Sequence, residues 1–158
     1  MGDVLRKRSG DSCQVRRHGV AARRPRQNLR PFPIPLLGSI PAGLPDHREQ
    51  TPSGFVSVDV ATLGLKPTRR TFAVRMVGDS MIGRHILPGD IIVLEHGSEP
   101  QHGQIVAALH NGSSTVKTFV VKDGKPYLRA ENPKHPNLIP AHDLMIQGVL
   151  RVLIRNAE

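Results

Sequence analysis

Two residues of this 158-residue chain have types that can do chemistry together: Ser80, in the turn Gly78-Asp79-Ser80-Met81, and Lys117, 37 positions further on. A serine hydroxyl is a weak nucleophile at neutral pH and needs a neighbour able to take its proton. A lysine serves only when uncharged, and burial disfavours the ammonium, lowering a lysine pKa by up to roughly 3–5 units. Lys117 is flanked by Val116, Phe119 and Val120 in the run Thr115-Val116-Lys117-Thr118-Phe119-Val120-Val121, which suits it as a base. Each residue also has an ordinary reading. Gly-Asp-Ser is a common turn composition, and a strand lysine usually points to solvent while its neighbours face the core.

The elements that must position the pair are strands. Residues 55–58 alternate, and residues 71–77 form a second run that ends at the serine turn. Pro88-Gly89-Asp90 is a turn opening a strand over residues 91–95. Asn111-Gly112, between runs at 104–110 and 115–122, is a hairpin signal, and Asp123-Gly124 leading to Tyr127-Leu128 is another, so a meander is expected through residue 130. Residues 141–154 close the chain with a β-branched, apolar run that is either core or an exposed edge. The fold class expected is therefore mostly β.

Charge is unevenly spread. Residues 1–42 hold nine Lys+Arg against two Asp+Glu, so +7 of the formal +9 lies there. Residues 1–30, with Arg6-Lys7-Arg8, Arg16-Arg17 and Arg23-Arg24, lack apolar periodicity and read as a disordered basic arm with affinity for polyanions, or as a merely solvated tail. One cysteine, Cys13, excludes an internal disulfide, and the start carries no charged-plus-apolar export signal, so a reducing cytoplasm is the simplest compartment. The longest uncharged stretch, residues 31–45, is broken by prolines and too short for a spanning helix of about 20 residues. The eight histidines are dispersed, without His-Glu-x-x-His or cysteine pairs, so no metal and no cofactor are expected. The glycines at 78, 83 and 89 have no nucleotide-loop context, and the scattered aromatics give no base-stacking platform.

The sequence Gly-Asp-Ser-Met at 78–81, followed by Pro-Gly-Asp at 88–90 and the Val-Lys-Thr-Phe strand at 116–119, resembles the LexA and UmuD family of self-cleaving serine-lysine proteases over roughly residues 31–155. The resemblance implies a domain of twisted antiparallel strands with Ser80 as nucleophile and Lys117 as general base. It implies backbone amides of Asp79 and Ser80 as oxyanion donors, with Met81 walling the site. Family members cut themselves between a small residue and glycine upstream of the serine, which here is Ala42-Gly43, in Ile40-Pro41-Ala42-Gly43-Leu44-Pro45. Taken as plain sequence, the same stretch is a Pro/Gly linker.

The organisation implied is a basic arm at 1–30, a cleavage-site region and linker at 31–54, and a serine-lysine protease domain at 55–158. Only 42 residues precede Gly43, with no pattern of helix, turn and recognition helix, so the short-armed UmuD type is the closer match on this reading. It further implies a homodimer paired through the terminal strand, activation on a RecA filament on single-stranded DNA, and an error-prone DNA polymerase as partner. Two other classes stay open: a non-catalytic or LexA-like regulatory module of the same fold, and a DNA-binding protein acting through the arm.

Overall fold

The computed structural model describes residues 31–38, 52–110, 113–135, 139–140 and 145–156. The arm at 1–30, the Ala42-Gly43 bond and the Asn111-Gly112 turn lie outside the described residues. Among the described residues nine strands form one sheet: β1 (Phe32–Leu37), β2 (Gly54–Val58), β3 (Thr71–Arg75), β4 (Ile91–Glu95), β5 (Ile105–His110), β6 (Ser113–Lys122), β7 (Lys125–Arg129), β8 (Ile139–Pro140) and β9 (Met145–Ile154). Their spatial order is β2-β1-β3-β4-β9-β5-β6-β7-β8. The helical element among the described residues is a single 3-10 turn, Ile82–Arg84, and no helix there is long and apolar enough to cross a membrane.

The central strands carry apolar residues on both faces because both faces are covered. Phe72 and Val74 of β3, with Ile92 and Leu94 of β4, enter one cluster with Leu37, Met76, Met81, Ile86, Ala107 and Val116. The alternating residues Ala73 and Val93 enter a second cluster with Ile34 and Val58. The turns follow their residues. Asp123 and Gly124 both take positive φ, at 51° and 70°, as a two-residue hairpin loop between Lys122 and Lys125 requires. Gly89, at φ 91°, follows Pro88 in the turn that opens β4, where the Asp90 amide donates to the Leu87 carbonyl at 3.2 Å. The 104–110 and 115–122 runs pair antiparallel from Ile105↔Thr118 to His110↔Ser113.

Two features depart from the sequence reading, and a third resolves an alternative it left open. Residues 32–37, placed in the linker region, form β1, antiparallel to β2 and parallel to β3 at Leu36↔Ala73 and Leu37↔Val74. Its prolines, Pro33 and Pro35, are two apart, so both lack their donor on the same side of the strand, and the amides of the alternate residues stay free to bond. The run at 71–77 stops as a strand at Arg75, where the chain turns toward Asp90: the Met76 amide donates to the Asp90 carbonyl at 2.8 Å. Of the two alternatives left open for the terminal run, core or exposed edge, β9 takes the interior place, between β4 and β5. It pairs with β4 through residues 149–154 and with β5 through residues 145–149, with a register shift in each ladder.

Candidate active site

Ser80 sits just past the end of β3, where the chain leaves the sheet through Val77 and Gly78. Gly78 has φ 80°, a conformation that disfavours any side chain. Met81, fully buried in the core cluster, anchors the turn from below, so the sulfur side chain packs as core filling beside the serine. Lys117 projects from the middle of β6, across the sheet from β3.

The two predicted residues meet. Lys117 Nζ lies 2.9 Å from Ser80 Oγ, and it also donates to Thr115 Oγ1 at 2.8 Å and to the Val116 carbonyl at 3.1 Å. An ammonium has three donors, and this geometry uses all three. When the proton facing Ser80 is lost, Thr115 and Val116 still hold the other two N–H groups, and the lone pair points at the serine oxygen. Lys117 is 9% exposed, and that burial pushes its pKa below the ordinary lysine value. The solvent-pointing alternative for this lysine is thus not what the strand does. Both residues open onto a cleft of about 590 Å³ whose walls include Gly38, Val74, Val77, Ser113 and His135.

Three residues that the sequence reading missed hold the serine turn from the side opposite β3. In the segment after β7, the Glu131 amide donates to the Ser80 carbonyl at 2.8 Å, and the Glu131 carbonyl accepts from the Gly83 amide at 2.7 Å. A Cβ on Gly83 would come within 2.5 Å of that carbonyl oxygen, so glycine is required by close approach. Asn132, 4% exposed, donates its side-chain amide to the Asp79 carbonyl at 3.0 Å. His135 Nε2 lies 2.6 Å from Asp79 Oδ1. That hydrogen bond holds the Asp79 carboxyl below the usual carboxylate range, against an opposing push from desolvation; the Asp79 amide and Asn132 act in the same direction as His135. The Asp79 amide expected as an oxyanion donor is therefore also drawn to its own carboxylate. Glu131 is itself fixed: burial pushes its pKa up, but Thr118 at 2.6 Å and Arg129 at 2.9 Å bring it below the ordinary glutamate value. Polar spacing alone gave no signal for these contacts, because they close only when segments 48 to 56 residues apart are folded together.

Among the described residues, no group of three or more His, Cys, Asp or Glu side chains is arranged to hold a metal ion.

The model of the Peptidase S24-like family matches residues 35–151, a span that takes in Ser80, Lys117 and the 131–135 segment. The chain belongs to the Peptidase S24-like family. Among its similar proteins are the LexA repressor of Verrucomicrobium spinosum, 47% identical over 122 residues, which cover 77% of this chain and 60% of that protein. The LexA repressor of Opitutus terrae is 41% identical over 128 residues, or 80% of this chain and 64% of that protein. That of Frankia alni is 35% identical over 122 residues, covering 77% of this chain and 47% of that protein. The chain thus spans less than two thirds of the length of these S24-like relatives.

Proposed function

We propose that this chain is a self-cleaving regulator of the LexA type, cutting its own Ala42-Gly43 bond. The observation that carries the reading is the 2.9 Å contact between Ser80 Oγ and the nitrogen of a lysine whose burial lowers its pKa. Neutral Lys117 takes the Ser80 proton as Oγ attacks the Ala42 carbonyl carbon. The developing oxyanion is met by the amides of Ser80 and Asp79. Lys117 then returns the proton to the Gly43 nitrogen as the peptide bond breaks, leaving residues 1–42 as an ester on Ser80. Water, deprotonated by the same lysine, hydrolyses that ester.

The regulatory role rests on the repressor relatives. The UmuD-type reading, with its polymerase partner, rested on the length of the arm. Because the relatives extend beyond the matched span, arm length does not discriminate between the two types. The LexA-type reading carries with it a cytoplasmic homodimer that cuts itself on a RecA filament and contacts DNA through its basic residues. The dimer is supported by β9: residues 150–154 pair with β4 on one side, and among the described residues no strand pairs with their other side. A partly buried apolar strand with a free ladder is suited to pairing across a two-fold axis.

The test is intact mass before and after incubation at alkaline pH, with Ser80→Ala and Lys117→Ala in parallel. A species beginning at Gly43 in the parent alone supports the reading. A parent that stays intact even with RecA filament sinks it and leaves a non-catalytic module.

A further inference from the structure

Four hydrogen bonds join the 131–135 segment to the serine turn, and they differ in kind. Those of Glu131 and Asn132 engage backbone carbonyls or amides, which any sequence would offer. The fourth joins two side chains, His135 and Asp79, across 56 positions of chain. Asp79 Oδ1 belongs to a carboxylate held ionised, so it accepts, and His135 Nε2 must carry the proton. It does so both as a neutral imidazole of that tautomer and as an imidazolium.

The segment that presents the ring is braced internally. The His135 amide donates to the Asn132 carbonyl at 3.0 Å, and the Lys134 amide to Asn132 Oδ1 at 3.1 Å. Asn132 is buried, so the base of this loop is fixed while the imidazole, 37% exposed, lies at the rim of the cleft. With both the carbonyl and the carboxylate of Asp79 tied to this segment, the peptide joining Asp79 to Ser80 is restrained from rotating. That peptide carries the Ser80 amide and sets the direction of the Ser80 Cα–Cβ bond. On the opposite side the turn ends in Gly78 and in Val77, which is 88% exposed, so the approach from β3 gives little restraint of its own.

We propose that His135 is a positioning residue for the reactive serine, acting through the Asp79 carboxylate to fix the Asp79–Ser80 peptide. The inference rests on the self-cleavage reading and extends it. Misplacing a reacting group by about 1 Å can cost on the order of 10²-fold in rate, and losing one of several restraints should cost part of that, about 10-fold.

The test uses the full chain carrying His135→Phe, His135→Gln, Asp79→Ala, and the His135→Phe/Asp79→Ala double change. Two rates are followed across pH: appearance of the fragment starting at Gly43, and labelling of Ser80 by a fluorophosphonate, which reports serine reactivity without peptide cleavage. Phe keeps a ring of similar size but has no donor; Gln offers a donor in a smaller frame. We expect His135→Phe to slow both rates about 10-fold and Gln to restore most of the loss. The pH midpoint of the alkaline rise should not move, because it belongs to Lys117. The double variant should be no slower than Asp79→Ala, since the two act through one contact. His135→Phe at the parental rate, equal losses for Phe and Gln, or losses that multiply in the double variant would each overturn the inference while leaving self-cleavage standing. A parent that neither cuts nor labels would overturn both.

Discussion

Arg155 clasps the carboxylate of Asp90 at two points, Nε to Oδ1 and Nη2 to Oδ2, each at 2.6 Å, and the same guanidinium donates to the His85 carbonyl at 2.6 Å. Asp90 is almost wholly buried and also accepts from the Leu87 amide at 2.7 Å. One side chain near the carboxyl end thus holds both the turn that opens β4 and the left-handed residue that follows the 3-10 turn after Ser80.

Arg155→Ala should lower the thermal midpoint by about 5 °C or more, because it leaves a buried carboxylate without its charged partner. Arg155→Lys should recover only part of this, since an ammonium cannot make the two-point contact. Thermal denaturation of the three proteins at neutral pH checks both statements.

Acid should destabilise the fold through the same groups. The Arg155 contact holds Asp90 below the ordinary carboxylate pKa, and His135 and Thr118 with Arg129 do likewise for Asp79 and Glu131, the latter against its burial. A depressed folded-state pKa contributes stability that is present above the unfolded value, about 4, and is lost as pH falls through the folded values. Urea midpoints should therefore hold steady down to about pH 5 and decline below about pH 4. Arg155→Ala should show a shallower decline.

Cleavage should accelerate as pH rises through the lowered pKa of Lys117. Thr115→Val removes an acceptor that favours the charged ammonium, so the rise should move to lower pH. The same change frees Nζ to swing away from Ser80, so the plateau rate should drop several-fold. A pH–rate profile of first-order cleavage separates the two effects.

Lys117→Met should abolish cleavage and raise the thermal midpoint by a few degrees near neutral pH. Desolvation of the ammonium is a cost to folding at every pH below the lowered folded value. It is relieved progressively as pH approaches the unfolded value of 10.5, so the stability gain of the methionine variant should shrink toward that pH. Scanning calorimetry at neutral pH and near pH 10 tests this.

Gly83→Ala should cost about 1–3 kcal/mol, because the new methyl has only the Glu131 carbonyl to push against and that carbonyl belongs to the segment bracing Ser80. Cleavage should fall along with stability, as read by chemical denaturation and fragment formation on the same sample.

Much of the site was legible because three short motifs occur together in order, Gly-Asp-Ser-Met, Pro-Gly-Asp and Val-Lys-Thr-Phe; the turn serine and the strand lysine are each ordinary alone and informative only as a set. The hairpin at Asp123-Gly124 was legible for a local reason too, since two adjacent positions of positive φ select those residues. β1 was hidden by Pro33 and Pro35, which read as punctuation until their shared spacing places both missing donors on one side. Asn132 and His135 were hidden more deeply. They are ordinary polar residues of an irregular segment, and only the long-range closure onto Asp79 gives them work. The role of β9 was ambiguous in principle, because an apolar, β-branched run looks the same whether its ladders end in this chain or in another.

The way β9 is shared has a consequence for timing. Ser80 belongs to the half of the sheet made by β2, β1, β3 and β4, whereas Lys117 belongs to the half made by β5 to β8, and the ladders that join the halves both run through β9. That strand is translated after every other strand among the described residues. The ladders that set Ser80 and Lys117 on one sheet are therefore complete only once synthesis has passed residue 154. Pairings this distant in sequence are slow to form, so on the self-cleavage reading proposed above the order in which the strands are made delays the cut in a newborn chain.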